Sequence, residues 1–398
     1  MKRDAVAWDA AHRSAWDVAS PLPPAEVALA DAAGRTLAAD LASLTDIPHY
    51  ASSAMDGWAV SGDAPWSLRD GGATITRAVG SAPPLSDGAA AAIVTGGLVP
   101  PGTTGILRTE HGHLTDGGVL TERTDTGREP LGPGADIRPS GSEYRAGDVV
   151  IPAGTTLNPV HLAVAASTGV DAIAVRGRAR VGLLLTGDEV VESGIPAPGI
   201  VRDSFGVMLP AVLAALRADV TATRRIGDDL DLSIATVREL LRGTDLVITT
   251  GGTGDSPADH LRDTLVALGA TIVVDGIAMR PGSPSILARL DSGQFVVGLP
   301  GNPLAAMMGV LTLVRPLLAA MHGDAEPTCG SVVLATDISP AGDSTRLLPY
   351  HLVDGRAVPT AWRGSGMLRG LADAAGVLVC APPGARAGDP VPVMPVPW

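Results

Sequence analysis

Between residues 178 and 323 two hydrophobic periods alternate along the chain. Arg180–Leu185, Asp245–Thr249, Thr271–Val274 and Phe295–Leu299 carry apolar residues on consecutive positions, which suits strands buried on both faces. Between and after them, Gly206–Arg217, Leu232–Leu241, Asp259–Leu268 and Leu304–Met321 follow the helical period. Alternation at this spacing predicts an α/β domain with a mixed, mostly parallel sheet and helices on both faces.

Elsewhere the pattern is shorter. Residues 4–19 and 25–40 read as two helices separated by "SPLPP", Ser20–Pro24. From about Asp46, apolar runs at Ala73–Val79, Ala91–Thr95 and Thr104–Arg108 lie among Gly and Pro clusters, which predicts a compact β-domain reaching about residue 139. "AGDVVIPAGTTLNPVHLAVAASTGV" then reads as a strand, a Gly turn and a helix opened by Asn158 or Pro159. Beyond Glu326, "SVVLATDI", "RLLPYHLV" and "GVLVCAPP" predict a small C-terminal β-domain. The expected division is multidomain. A helical linking domain takes residues 1–45 and 140–177, a β-rich domain 46–139, the α/β domain 178–325 and a second β-rich domain 326–398.

Composition narrows the class. Hydrophobic residues make up 45% of the 398-residue chain but aromatics only 3%, so Ala, Val and Leu must build the cores. A net charge of −13 argues against sequence-independent nucleic-acid binding, which needs a basic face. Lys2 is the single lysine; every other basic residue is Arg. Cys329 and Cys380 are too few for a disulfide framework and fit a reducing compartment. Charges run through the N-terminal "MKRDAVAWDAAHRSAW", where a signal peptide needs an apolar stretch. No window approaches ~18 uninterrupted apolar residues, so the expectation is a cytoplasmic protein without a membrane span.

In open parallel sheets the ligand site lies beyond the carboxyl ends of the strands. Three loops there carry pointed residues. "TGDEV" brings Asp188 and Glu189; "GGTGDSPADHL" brings Gly251, Gly252, Thr253, Asp255, Ser256 and Asp259 but no lysine. "PGNPL" brings Pro300, Gly301, Asn302 and Pro303, with amides at a helix start that favour an anion. Taken singly, each loop reads as ordinary turn chemistry; three on one edge are the stronger sign. Glu189, Asp228 and Asp259 beside such amides suit Mg²⁺, which takes one or two carboxylates plus phosphate oxygens and water. The implied ligand is phosphorylated and bridged by magnesium. Neither a Walker A motif nor G-x-G-x-x-G occurs. His111 and His113 lack the further ligands of a zinc site and read as an exposed loop.

At "IPHYASSAMDGWAVSGD" the chain resembles the MoeA family, the molybdopterin molybdenumtransferases, to which the gephyrin E domain also belongs. Ser53-Ala54-Met55-Asp56-Gly57-Trp58-Ala59 is similar to its S-A-M-D-G-[YW]-A signature. "AAGRTLAADL", "IVTGGLVPPGTTGILRTE", "AGDVVIPAGTTL", "RVGLLLTGDEV", "TTGG", "AMRPGSP" and "GLPGNPLAA" follow in family order. The resemblance implies an elongated homodimer of four-domain subunits, with an α/β domain like that of the MogA and MoaB proteins. It implies transfer of molybdenum from molybdate into adenylylated molybdopterin, with release of AMP and Mg²⁺ assisting. The implied site is a cleft between the α/β domain of one subunit and the SAMDG-bearing domain of its partner. Carried over by motif, that site includes Asp56, Thr95, Glu189, Asp228, Asp259, Arg346 and Ser365. Transient partners would be a MogA/MoaB-type adenylyltransferase and molybdoenzymes.

The departures are local. Where the family has K-x-A-x-K-P-G-K-P, this chain has Gly276, Arg280 and Ser283 in place of the lysines. Glu143 in "GSEY" matches the acid of G-E-D-I, and Phe205 stands where D-[ST]-N is usual. Two readings follow: an active transferase, favoured by the retained SAMDG, TGDE, Asp259 and LPGNP elements, or a scaffold that binds molybdopterin or a partner without inserting metal.

Overall fold

The computed structural model describes residues 5–69, 82–123, 130–254, 256 and 259–398. Its central six-stranded sheet runs in the order Asp219–Ile226, Arg180–Thr186, Leu246–Thr250, Phe295–Leu299, Ile286–Arg289, Thr271–Asp275. The first four strands pair parallel, and Ile286–Arg289 is antiparallel to both its neighbours. Consecutive apolar residues serve opposite faces. Val181, Leu183, Leu185, Leu246 and Ile248 enter one core, whereas Leu184, Val247 and Val296 enter the other. Two strands lay hidden from the pattern reading. Asp219–Ile226 is an edge strand whose outward positions are polar, and Ile286–Arg289 is only four residues long.

Helices cover both faces. Leu230–Leu241 and Leu261–Ala267 pack on one, with Val237, Leu240 and Leu265 in the core. Phe205–Ala215 and the long helix Pro303–Met321 pack on the other. In that long helix Thr312 and Arg315 interrupt the apolar run, in keeping with the sequence expectation about apolar windows. At a hydropathy of 1.8 it is long and apolar enough to cross a membrane by length and composition alone, yet 89% of the window is buried inside the protein. Its middle, Val310–Val314, is a π-turn, and the indole N–H of Trp8 donates to Thr312 Oγ1 across 3.0 Å. The helix Trp8–Asp17 thereby lies against it and adds Ala11 and Ala15 to the same core.

The expected helix over 25–40 is not formed. Pro24–Ala28 is a strand antiparallel to Ala172–Arg176, followed by a 3-10 turn at Leu29–Asp31. An Ala-rich run has helix propensity, but tertiary pairing overrides it here. The strand finds a ready partner, and Ala32 and Leu37 are buried with Leu157, Ile173 and Val175. The helix Pro159–Ser167 does form, opened by Asn158, whose side chain accepts from the His161 amide at 2.9 Å.

A second six-stranded sheet runs Gly105–Arg108, Gly57–Val60, Ala89–Ile93, Trp66–Leu68, Val119–Glu122, Gly112–Leu114. His111 closes a 3-10 turn and His113 lies on the edge strand, so this stretch is paired backbone rather than the expected loop. The expected strand Ala73–Val79 lies outside the described residues. In the third large sheet, Met279–Arg280 leaves the α/β unit and pairs parallel with Thr345–Val353, which ties the C-terminal strands to it.

His322 ends the long helix at 4% exposure, and its Nε2 accepts from the Ala179 amide at 3.3 Å. Burial first, then Arg217, Arg178 and Arg35, push its pKa from 6.5 to about 4. Between those values the unfolded chain binds a proton that the folded one refuses. Stability is therefore full above pH 6.5 and falls as pH drops toward 4, by up to about 3 kcal/mol. Thermal melts of His322→Gln should fall less steeply than wild type from pH 6.5 to 4. Parallel slopes would contradict the assignment.

Candidate functional site

The carboxyl ends of the parallel strands border a cavity of about 520 Å³, within the range of small-molecule sites. Glu189, Asp203, Arg225, Asp228, Asp259 and Asn302 line it, and Gly366 reaches it from the C-terminal region. A cavity of about 600 Å³ also lies between Trp8, Thr345 and Pro390. Cys380 lines it, but none of the candidate catalytic or ligand-binding residues does. The site argued here is the one at the strand ends, because three loops converge on it.

Those loops are shaped by glycine and threonine. Thr186 Oγ1 donates to the Thr250 carbonyl at 2.7 Å, which fixes two strand ends side by side. Gly187 has φ +128°, and a Cβ there would meet Glu189 Oε2 at 2.9 Å, so the missing side chain leaves room for that carboxylate to fold back. Asp188 likewise lies over Gly227. Asp228 and Asp229 divide their roles. Asp229 caps the helix Leu230–Leu241 by accepting from the Leu232 amide at 2.7 Å, while Asp228 lines the cavity. Burial, then the charges of Asp188 and Glu189, raise the Asp228 carboxyl above its ordinary value, against an Asp188 amide bond and His260, which lower it.

These like charges bear on the magnesium expectation. Among the described residues no group of three or more His, Cys, Asp or Glu is arranged to hold a metal ion. Mg²⁺ does not need such a cage, since it takes one or two carboxylates and completes its shell with phosphate oxygens and water. Glu189 and Asp228 both line the cavity as hard oxygen donors, so this pair fits a half-shell that a phosphorylated ligand would complete.

The loop after Leu246–Thr250 is more self-contained than its sequence suggests. Gly251 and Gly252 take φ +83° and +64°, Thr253 is buried, and Arg262 donates to the Thr253 and Gly254 carbonyls at 2.9 and 2.8 Å. The helix begins at Leu261 rather than Asp259, with His260 at its cap position. Asp259 does not cap it. Its Oδ2 accepts from the Ser256 amide at 2.7 Å, so a carboxylate of the chain itself satisfies one amide of the anion loop.

After Phe295–Leu299, Pro300 is buried, Gly301 and Asn302 are exposed, and Pro303 takes the first helical position. Asn302 stands at the cap position without a side-chain capping bond. The helix start is partly filled, because the Ala305 amide donates to the Ser365 carbonyl at 3.0 Å. Ser365 therefore meets the site through its backbone.

The remaining candidates are not brought into this cavity. Asp56 accepts from the Thr95 amide and hydroxyl at 2.6 and 2.9 Å, and those bonds hold its carboxyl below the ordinary range. Both residues are exposed beside the second sheet. Glu143 is exposed, its amide bonded to the Ile47 carbonyl. Arg280 and Arg346 are register partners on adjacent parallel strands, with Arg346 donating to the Ser339 carbonyl at 2.9 Å. Ser283 is exposed, and its carbonyl accepts from the Ile277 amide.

Sequence reasoning missed Asp203 and Arg225. Asp203 is 9% exposed; its Oδ1 accepts from the Phe205 and Gly206 amides at 2.8 and 3.0 Å, and its Oδ2 pairs with Arg225. Gly206 is required there, since a Cβ would strike both partners. The available signal was an acid two residues before a helix; Arg225 sat inside the unread edge strand.

Three family descriptions match the chain: "MoeA N-terminal region (domain I and II)" over residues 6–169, "Probable molybdopterin binding domain" over 182–320, and "MoeA C-terminal region (domain IV)" over 331–396. A molybdopterin molybdenumtransferase of Staphylococcus aureus is 30% identical over 386 residues, covering 92% of this chain and 89% of that protein. One from Haemophilus influenzae is 32% identical over 305 residues, covering 74% and 72%. The fold matches the crystal structure of a molybdopterin biosynthesis MoeA protein from Pyrococcus horikoshii with a TM-score of 0.81, at 24% identity and 99% coverage of both chains.

The two acids of the cavity should respond oppositely to neutralisation. Asp228→Asn relieves repulsion from Asp188 and Glu189, so its stability at pH 7, followed by thermal melts, should rise slightly, by no more than about 0.5 kcal/mol after solvent screening. Asp203→Asn weakens charge-assisted bonds to two amides and Arg225 and should cost about 1–3 kcal/mol. Equal losses in the two variants would contradict this division.

Proposed function

The chain belongs to the MoeA family of molybdopterin molybdenumtransferases, enzymes of molybdenum cofactor biosynthesis, and from that premise we propose how its own residues carry the reaction. The substrates are adenylylated molybdopterin and molybdate; water cleaves the phosphoanhydride and AMP leaves, while molybdate forms two Mo–S bonds to the dithiolene and one of its oxo groups leaves as water with the two thiol protons. The observation that carries this reading is the meeting of free carboxylates with amide-rich helix starts in one cavity. The Gly252 amide and the amides of the Gly301–Asn302 loop hold phosphate oxygens, whose charge is favoured at the helix start at Pro303; the Gly251 amide is spent on the Leu299 carbonyl. Glu189 and Asp228 would hold Mg²⁺, which supplies neutralisation of phosphoanhydride charge when bound. Asp259 braces the loop through the Ser256 amide and lines the same cavity.

Arg280 and Arg346 supply the cations for molybdate. Register partners on parallel strands point their side chains to the same side, so two guanidinium groups present a fork to one dianion. The lysines replaced by Gly276 and Ser283 are thus offset in part. Asp56 and Thr95 complete the site from a partner subunit. Among the described residues no hydrogen bond, ion pair or strand pairing joins the 46–139 segment to residues 178–398 of its own chain. A second subunit therefore offers the route by which the pair meets the cavity.

Asp259 variants separate bracing from chemistry. Asn keeps an acceptor for the Ser256 amide but loses the charge, whereas Ala loses both. Asp259→Asn should melt within about 0.5 kcal/mol of wild type while AMP release from adenylylated molybdopterin falls at least about a hundredfold. Unchanged AMP release would sink the catalytic role of Asp259. Wild-type protein that binds molybdopterin but releases no AMP would instead favour the scaffold reading.

A further inference from the structure

Five basic side chains gather where the N-terminal segment meets the α/β unit. Arg35, Thr36, Arg176, Arg178, Arg217 and His322 line one small pocket. The place is remote from the catalytic edge: Arg176 and Arg178 precede the amino end of the strand Arg180–Thr186, whose carboxyl end borders the cavity described above. Arg217 follows the helix Phe205–Ala215, and Arg35 and Thr36 come from the segment after the first 3-10 turn. In a chain with a net charge of −13 such a gathering needs a counter-charge.

Among the described residues the protein supplies only part of it. Arg178 pairs with Asp219 at 3.2 Å, and Arg217 pairs with Asp324. Arg35 spends its Nε and one terminal nitrogen on the Arg176 carbonyl, at 3.2 and 2.7 Å, and Arg176 reaches the Leu22 carbonyl at 3.4 Å. Carbonyls satisfy donors but carry no net charge. Four guanidinium groups against two carboxylates leave two positive charges. Burial and the neighbouring Arg178 lower the pKa values of Arg35 and Arg217, a sign that the groups repel one another.

A further donor is left over. The Ala179 amide donates to His322 Nε2, so the neutral ring carries its proton on Nδ1. That Nδ1 is buried and has no hydrogen-bond partner, though His322 is 4% exposed and lines the pocket. Arg217 also holds the left-handed region at φ +62°, where glycine is the ordinary residue after a helix. Its guanidinium bonds the Gly34 carbonyl at 2.9 Å and the Thr36 hydroxyl at 3.3 Å, so the strained residue is pinned across the junction.

We propose that this cluster is a second anion site, which takes a small tetrahedral dianion such as sulfate, inorganic phosphate or the end of a phosphate monoester. The pocket itself holds about 10 Å³, room for little more than one oxygen, so the anion sits at its mouth among the guanidinium groups and the rest of a monoester extends into solvent. Guanidinium forks match tetrahedral oxyanions through paired N–H bonds. A bound dianion cancels the surplus charge and bridges Arg35 and Arg176 of one segment to Arg217 of the other. The inference stands apart from the transferase reading, since it uses none of the residues assigned to that cavity.

Titration calorimetry with sodium sulfate and with AMP, at constant ionic strength set by chloride, tests it on the full chain. Arg178→Gln and Arg35→Gln should each weaken sulfate binding about tenfold, and sulfate should raise the melting temperature of wild type more than of either variant. Arg346→Gln, which alters the proposed molybdate fork, should leave this binding event intact. AMP binding that weakens in step with sulfate identifies a phosphate monoester as a ligand; loss confined to sulfate identifies the free ion. Sulfate affinity unchanged in both Arg178→Gln and Arg35→Gln, or lost only in Arg346→Gln, overturns the proposal.

Discussion

Burial of the central sheet on both faces decides where this protein can do chemistry. Val181, Leu183 and Leu185 face one core and Leu184 the other, so no polar group can leave a strand sideways without losing its solvent. Functional side chains are confined to the strand ends. At the carboxyl ends the parallel pairing of Arg180–Thr186, Leu246–Thr250 and Phe295–Leu299 brings three loops together, and the Thr186 bond to Thr250 locks two of them. The acidic loop, the Gly-Gly turn and the Asn-Pro helix start are neighbours because the sheet makes them so.

Electrostatics then distinguishes the two ends. At the carboxyl end Asp188, Glu189 and Asp228 crowd until burial and repulsion raise the Asp228 carboxyl, while Asp203 is satisfied by two amides and Arg225. One acid is left in tension and the other is held. The amino end carries surplus positive charge around a neutral His322. The chain therefore places an unbalanced negative set where the proposed phosphate and magnesium meet, and an unbalanced positive set far from it.

Much of the α/β unit was legible because strands buried on both faces leave continuous apolar runs, and Phe295–Leu299 matches the expected strand residue for residue. The N-terminal 25–40 segment was not, since Ala-rich sequence favours helix locally and only the distant strand Ala172–Arg176 turns it into β-structure. In the site, Glu189, Asp259 and Asn302 were readable from loops after strands, whereas Asp228 follows an edge strand that the pattern did not reveal. Arg225 was hidden in a polar edge strand, and the bracing bond from Asp259 to the Ser256 amide depends on a loop geometry that no spacing rule encodes.

In the function proposed above, one subunit's Asp56 and Thr95 complete the cavity holding Glu189 and Asp228 of its partner. Subunit complementation measures it directly. Asp56→Asn and Glu189→Gln chains, each inactive alone, are mixed, allowed to exchange, and assayed for AMP release from adenylylated molybdopterin. Random pairing makes half the dimers mixed, and each mixed dimer rebuilds one intact site, so activity should return to about a quarter of wild type. With one variant labelled with ¹⁵N so that mixed dimers can be counted by mass, no recovery after verified exchange would show that the site is built within one chain, and would contradict the account.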